Sequence, residues 1–505
     1  MNKNGLVYDV NERPPFGKNL VYAFQQLLAI IAATVLVPIV VDPQGLYLNQ
    51  AAALIGAGVG TLVYILFTKF RSPVFLGSSF AFITPMASSI VFGCCGIILG
   101  AIVAGLVYAV IAILVKFVGT GWLNKLMPPV IIGPTVALIG LSLSASAMNN
   151  LMNISSSTAN YNLLAILVGI VTFLVTVVVS VKGTKGMKMI PFVIGVAAGY
   201  VLAVIITLIG YNACGAEYCR LVDFSAFAAV ADLGNWIPDI TVVGAIEEIV
   251  SGNMKLDGAG VLSVILAFAP VALVVFCEHV ADHKNISSII KKDLLTDPGL
   301  HRTLLGDGIG SIAGAVMGGC PNTTYGESIG CVAITKNASV WTIFTTAIMC
   351  IVLAFIYPVM VFIESIPTCV VGGICIALYG FIAVSGLRMF KHVDLDNSKN
   401  LFVVAAILVT GIGGLVLDFG GSYESPTIQI SSIACALILG IIVNVILKPG
   451  KAEVTKEVSY DTETEDTMFG VVQKEEAAKD AENGEKQQAE ADAAAAADGD
   501  GSKKE

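Results

Sequence analysis

Apolar runs near 20 residues recur along the chain, separated by short polar breaks. Such a run, coiled as a helix, crosses a bilayer core of about 30 Å. About 14 segments of this kind can be marked: residues 17–41, 47–68, 80–91, 95–118, 126–146, 161–181, 188–209, 260–280, 302–318, 325–335, 340–363, 367–388, 399–417 and 427–447. The pattern predicts an all-α polytopic membrane protein. The third and tenth segments are short, and each follows a stretch rich in Gly, Ser, Thr or Pro. These stretches are Leu76-Gly77-Ser78-Ser79-Phe80 and Pro321-Asn322-Thr323-Thr324-Tyr325-Gly326. They predict extended backbone inside the membrane, followed by a half-length helix. The first 16 residues are polar and the first apolar run is long, so it reads as a true span rather than a cleavable leader.

Charge follows the same alternation. With the N-terminus (Lys3, Arg13, Lys18) placed in the cytoplasm, the inside loops carry Lys69 and Arg71, Lys116 and Lys125, Lys182, Lys185 and Lys188, Lys284, Lys291, Lys292 and Arg302, Lys336, Arg388 and Lys391, then Lys448 and Lys451. The outside loops carry Asp42, an uncharged stretch 147–160, a mostly acidic loop 210–259, Glu364, Asp418 and Glu424. This positive-inside bias predicts an even number of crossings, with both termini cytoplasmic.

The segments divide into two repeats of about seven. Val130, Gly133, Ala137, Leu138 and Gly140 match Val370, Gly373, Ala377, Leu378 and Gly380 at an offset of about 240. Ser78-Ser79-Phe80-Ala81 parallels Thr323-Thr324-Tyr325-Gly326 at an offset of about 245. An odd number of spans per half requires the halves to be inverted. Interrupted segments at matching places in two inverted halves point to a transporter's binding site.

Composition sharpens the picture. Hydrophobic residues make up 56% of the 505 and charged residues 13%, against about 25% charged in soluble domains. The net charge of −9 resides in Lys451–Glu505, which holds 16 acids and 7 bases, leaving a neutral membrane body. Nothing here calls for a nucleic-acid partner; the surrounding partner is the lipid bilayer. The acidic tail, 448–505, lacks the apolar residues to fold and is expected to be disordered. Of the 11 Cys, Cys214 and Cys219 share a polar loop and would pair if it faced an oxidising exterior; the others lie in or beside apolar runs, and no metal-spaced CxxC occurs.

The candidate chemistry lies in carboxylates at membrane depth. Glu278 ends the run from Gly260, within Cys277-Glu278-His279-Val280-Ala281-Asp282-His283, and Glu327 follows Gly326. A charge at mid-bilayer costs about 2.5 kcal/mol or more, so an ionisable group there is a functional candidate. Neither acid has a Lys or Arg in the neighbouring apolar runs. Two half-helices meeting near the midplane present free N–H groups, and the carboxylates add acceptors. That mixture suits a flat solute whose edge alternates N–H and C=O, with Phe80 and Tyr325 able to pack on its ring. Two carboxylates in a low-dielectric site do not readily share it as ions, so a proton is a natural co-substrate. Asp282, one helical turn beyond Glu278, is a candidate for the proton relay. His279 and His283 are spaced i, i+4 but lack the H-E-x-x-H order, so a metal is not expected; His283 with Lys284 is expected at the helix end.

These motifs resemble the nucleobase/ascorbate transporter family, its bacterial uracil-carrying branch in particular. The segment from Cys277 to His283, the loop Lys292–Arg302, the stretch Pro321–Glu327 and Gly77-Ser78-Ser79-Phe80 are similar to four family motifs in order, and the resemblance spans roughly 15–447. It implies a core domain (17–120 and 260–364) and a gate domain (121–212 and 365–447), after a cytoplasmic tail 1–16 and around an extracellular loop 213–259. It further implies proton symport at a plasma membrane, no cofactor, and a homodimer through the gate. Carried over by motif, Glu278 and Glu327 would bind the nucleobase, N–H groups at Phe80 and Gly326 would complete the site, and Tyr379 would face it from the gate. Ser328 stands where the family commonly has Asn, which leaves a xanthine or other purine open beside uracil. Two other classes differ in chemistry: an anion exchanger would need net positive character, and an intramembrane enzyme a nucleophile–base or metal constellation.

Overall fold

A computed structural model describes residues 5–119, 122, 126–152, 162–422 and 425–447. The acidic tail, and the expectation of disorder attached to it, lies outside them. The described chain is a multi-pass helical assembly. In order it forms α1 (Phe16–Val41), α2 (Gln50–Phe67), β1 (Leu76–Ser78), α3 (Ile83–Ser89), α4 (Gly93–Val118), α5 (Pro129–Ser142), α6 (Ser144–Met152), α7 (Leu163–Lys182), α8 (Pro191–Ile206), α9 (Thr241–Val250), α10 (Gly258–Ile290), α11 (Leu300–Gly318), β2 (Asn322–Thr324), α12 (Gly326–Thr335), α13 (Val340–Ala354), α14 (Tyr357–Glu364), α15 (Thr368–Arg388), α16 (Ser398–Ile412), β3 (Leu417–Ser422), β4 (Ser425–Ile430) and α17 (Ser432–Ile446).

Eight helices among the described residues are long and apolar enough to cross a membrane, or nine if the bent pair α13–α14 counts as one span. The shortfall against the apolar runs has local causes. α16 and α17 have 15 residues each, about 22 Å of helix. α11 carries His301, Arg302 and Asp307, and α12 has 10 residues. The run 340–363 bends by 81° where Pro358 removes a helical donor at the start of α14. Two features were not anticipated. The end of the thirteenth run and the start of the fourteenth belong to an antiparallel strand pair, β3–β4, after Gly414 turns the chain with φ +73°. The loop 213–259 contains α9.

The helices pack in two sets. In the first, α2 and α4 lie on α11, α13 lies on α1 and α2, and α10 lies on α4. In the second, α15 lies on α5, α6 and α7, with α7 on α8 and α16 on α5 and α17. Each set is drawn together where backbones touch through glycine. A Cβ on Gly56 of α2 would stand 2.4 Å from the Gly314 carbonyl of α11, and one on Gly386 of α15 would stand 2.2 Å from the Ala137 nitrogen of α5. Apolar side chains gain little by leaving lipid for protein, so close backbone approach supplies much of the attraction in such a fold. Cys214 and Cys219 are free thiols, the second buried against Gly210, and they do not pair.

A substitution at the first crossing reads this directly. Gly56→Val is expected to force α2 off α11 and lower the melting temperature by several degrees, as overpacking of a core does. Gly326→Ala is expected to leave it unchanged, because a Cβ there meets nothing within 4 Å. Thermal unfolding of the purified proteins in detergent checks both.

Candidate substrate site

The two extended stretches foreseen in the third and tenth segments pair with one another. β1 and β2 run antiparallel with Leu76 opposite Thr324, Gly77 opposite Thr323 and Ser78 opposite Asn322. The pairing continues beyond the strands: Ser79 N–H donates to the Pro321 carbonyl (3.0 Å) and Tyr325 N–H to the Phe75 carbonyl (3.1 Å). The outer edges of this small ladder are satisfied by side chains. Leu76 N–H donates to Thr61 Oγ1 (2.9 Å), whose hydroxyl donates to the Leu76 carbonyl (3.1 Å). Asn322 N–H donates to Ser311 Oγ (3.0 Å), and its side-chain amide donates to the Gly56 carbonyl (2.9 Å). Backbone at membrane depth has to be closed in this way, because no water is there to accept or donate.

The terminal hydrogen bonds obey a local two-fold: exchanging the strands carries Ser79 onto Tyr325 and Phe75 onto Pro321. Phe80 therefore corresponds to Gly326, one residue away from the sequence pairing of Phe80 with Tyr325. Both positions open helices. Phe80 starts a turn of 3-10 helix leading into α3, and Gly326 starts α12; neither helix start is capped by a side chain. First-turn N–H groups of this kind have no intrahelical acceptor. Gly326 is exposed and faces open space.

The carboxylates gather at the same place. Glu278 and Asp282 project from α10 one turn apart, and Glu327 is the second residue of α12; all three are half-buried. Asp282 Oδ2 accepts from Thr324 Oγ1 (2.6 Å), which ties α10 to β2. Glu278, Asp282 and Glu327 are close enough for their charges to act on one another. From the second helix set, Tyr379 on α15 meets the buried Phe80 ring edge-to-face, with centroids 5.8 Å apart.

Two expected site residues turn elsewhere. Tyr325 is buried, donates its hydroxyl to the Ser78 carbonyl (2.9 Å) and lays its ring over Gly77, so it locks the strand crossing rather than offering a face beside Phe80. Ser328 is fully buried on the far side of α12. Its Oγ accepts from Gln26 Nε2 and from Phe75 N–H (3.3 Å), and its carbonyl accepts from Gln26 Nε2 (3.1 Å).

The histidines belong to the core, and α10 runs on past them to Ile290 rather than ending near His283. His279 Nε2–H donates to Thr303 Oγ1 (3.0 Å), since that hydroxyl donates in turn to the Leu300 carbonyl. His279 Nδ1 meets Asp307 Oδ2 at 2.7 Å. His283 Nδ1–H donates to the His279 carbonyl (2.8 Å) and its Nε2 accepts from the Tyr64 hydroxyl (2.6 Å). All four ring nitrogens have protein partners, which leaves none for a metal. Asp307 is fully buried on α11, and the sequence reading passed over it. Its signal was the one that flagged Glu278: an acid inside a run too apolar to host it.

Residues 17–420 match the Permease family. The chain is 36% identical to the uracil permease of Bacillus caldolyticus over 465 residues, covering 92% of this chain and 99% of that one. It is 34% identical to the uracil permease of Bacillus subtilis over 459 residues (90% and 98%) and 33% identical to that of Escherichia coli K12 over 461 (90% and 97%). Among solved structures, its fold is similar to the transmembrane domain of the cyanobacterial bicarbonate transporter BicA (TM-score 0.52, 14% identity, 85% of this chain and 96% of that one). It is similar also to the murine anion transporter Slc26a9 in its inward-facing state (TM-score 0.54, 12% identity, 86% and 69%).

The His279–Asp307 pair makes its own prediction. Asp307→Leu is expected to cost about 1–3 kcal/mol of stability, because it leaves a buried imidazole nitrogen without its partner. Adding His279→Leu is expected to return part of that loss. A double-mutant cycle on unfolding of the purified protein measures the coupling; strictly additive losses would contradict it.

Proposed function

We propose that this chain, which belongs to the nucleobase/ascorbate transporter family, imports uracil together with protons across the plasma membrane. The observation that carries the reading is the meeting of two uncapped helix starts, at Phe80 and Gly326, with the carboxylates of Glu278 and Glu327 around one antiparallel strand crossing. One edge of uracil presents C=O, N–H and C=O in sequence. The carboxylates accept from ring N–H groups, and the helix-start N–H groups donate to carbonyls. Phe80, backed by Tyr379, supplies apolar contact for the ring.

The proton enters through electrostatics. Glu278, Asp282 and Glu327 crowd one partly dry site, and cargo that is itself neutral leaves their charge uncompensated. A proton bound with uracil removes that charge and lets the loaded site move. Asp282, held by Thr324, passes or holds the proton beside Glu278.

Movement is assigned to two bodies. The first helix set corresponds to a core (17–120 and 260–364) and the second to a gate (121–212 and 365–447), with substrate between them at the contact of Phe80 and Tyr379 and access alternating between the two sides. The local two-fold at the strands supports the larger reading of about 14 segments as two inverted repeats. Both termini lie in the cytoplasm, and the gate pairs with a second copy. The fold shared with anion transporters does not carry their cargo over, because three carboxylates repel an anion. Ser328, the position that left a purine open, is engaged by Gln26 and Phe75 and offers no argument for the larger cargo.

Uptake of labelled uracil into cells lacking their own carrier tests the reading. Wild type is expected to accumulate uracil and to lose at least about 90% of it with a protonophore or with Glu278→Gln or Glu327→Gln, as befits charge-assisted contacts worth 1.5 kcal/mol or more. Accumulation indifferent to both substitutions would overturn the site, and accumulation of xanthine instead of uracil would overturn the cargo.

A further inference from the structure

The site's frame has two ends on the face away from the N-terminal segment, and α9 touches both. At one end, α3 runs through a tight turn at 90–92 into α4. The first amides of α4 donate to a side chain from outside the helix: Cys94 N–H to Glu248 Oε1 (2.8 Å) and Cys95 N–H to Glu248 Oε2 (3.1 Å). The preceding residue, Gly93, has φ +74°, and a Cβ there would stand 2.2 Å from Glu248 Oε1. A glycine thus leaves the groove in which the carboxylate sits. At the other end, Gly319 closes α11 with φ +71° and leads directly to Pro321 and β2. Thr241, the first residue of α9, lies against it, with its Oγ1 3.0 Å from where a Cβ on Gly319 would be.

We propose that Glu248 is a positioning residue for the substrate site: through α9 it clamps the far end of the helix that begins at Phe80 to the turn that feeds β2. The inference rests on the site proposed above. Its chemistry is that of a bidentate cap. A carboxylate satisfies two orphan donors at once and sits at the positive end of the α4 dipole. The Asn49 amide donates to the Asp239 carbonyl (2.9 Å), which holds the approach to α9 from the α1–α2 side. Releasing the clamp frees the α3–α4 turn from the α11–β2 turn, so the spacing of the Phe80 and Gly326 helix starts loosens while the cargo-facing groups stay intact.

Cys95 lies half-buried beneath the clamp, with its thiol 3.6 Å from the Ala245 carbonyl of α9, and reports on it without any cargo. In purified protein carrying Cys214→Ser, to remove an exposed thiol, maleimide labelling of Cys95 is followed by mass spectrometry. Glu248→Ala removes both charge-assisted bonds and is expected to speed labelling at least about tenfold. Glu248→Gln keeps the shape but offers one acceptor oxygen for two donors, and falls between. In uptake assays normalised to surface protein, the same variants are expected to raise the KM for uracil in that order, with Vmax held within about twofold. Unchanged labelling in Glu248→Ala overturns the clamp; faster labelling with an unchanged KM overturns its positioning role. Wild-type protein that carries no uracil would count against the cargo reading alone, and the labelling contrast would then decide the clamp.

Discussion

The structure depends on one constraint: two stretches of extended backbone lie among apolar helices, where unpaired N–H and C=O groups cost several kcal/mol each. β1 and β2 meet it by pairing with each other, and Thr61, Ser311 and the Asn322 amide close what the pairing leaves open. Neither strand is tenable alone, although about 245 residues separate them in sequence. The glycine contact of α2 with α11 follows from the same need, because only backbones that touch bring these side chains within reach. The crossing also ends both strands where helices begin, so the two uncapped helix starts face the same space. On the proposed reading, the binding site is a by-product of solving the backbone problem in this manner.

Two groups of polar side chains around the crossing play different parts. Hydrogen bonds link His279, His283, Thr303, Asp307, Tyr64 and Ser72 and fasten α10 to α2 and α11. Glu278, Asp282 and Glu327 remain partly accessible, and of these Asp282 has a hydrogen bond to Thr324. The hydrogen-bonded network serves the frame; the partly open carboxylates are the groups that the proposed reading gives to cargo and protons. Tyr325 and Ser328 belong with the frame, the first locking the strands and the second anchoring α12 to α1 through Gln26.

Much of this was legible in the chain. Apolar run length located most helices, and the Gly/Ser/Thr/Pro stretches at 76–80 and 321–326 marked extended backbone, because those residues neither favour helix nor bury well. Membrane depth alone singled out Glu278 and Glu327. The remainder depended on contacts that periodicity does not encode. The pairing of Phe80 with Gly326 is set by hydrogen-bond register, which sequence similarity blurred by one residue. Asp307 was hidden because its partner, His279, is 28 positions away on another helix. α9 looks like loop because its 10 residues are too few to span a membrane, and its anchoring runs through one glutamate to two backbone amides.

The central claim is that the strand crossing and its carboxylates form the nucleobase site. Equilibrium binding of labelled uracil to the purified protein tests it without transport. One saturable site in wild type, lost in Glu278→Gln and in Glu327→Gln while both variants keep the wild-type melting temperature, is the expected result. Undiminished binding in both well-folded variants would contradict the claim and place the nucleobase elsewhere.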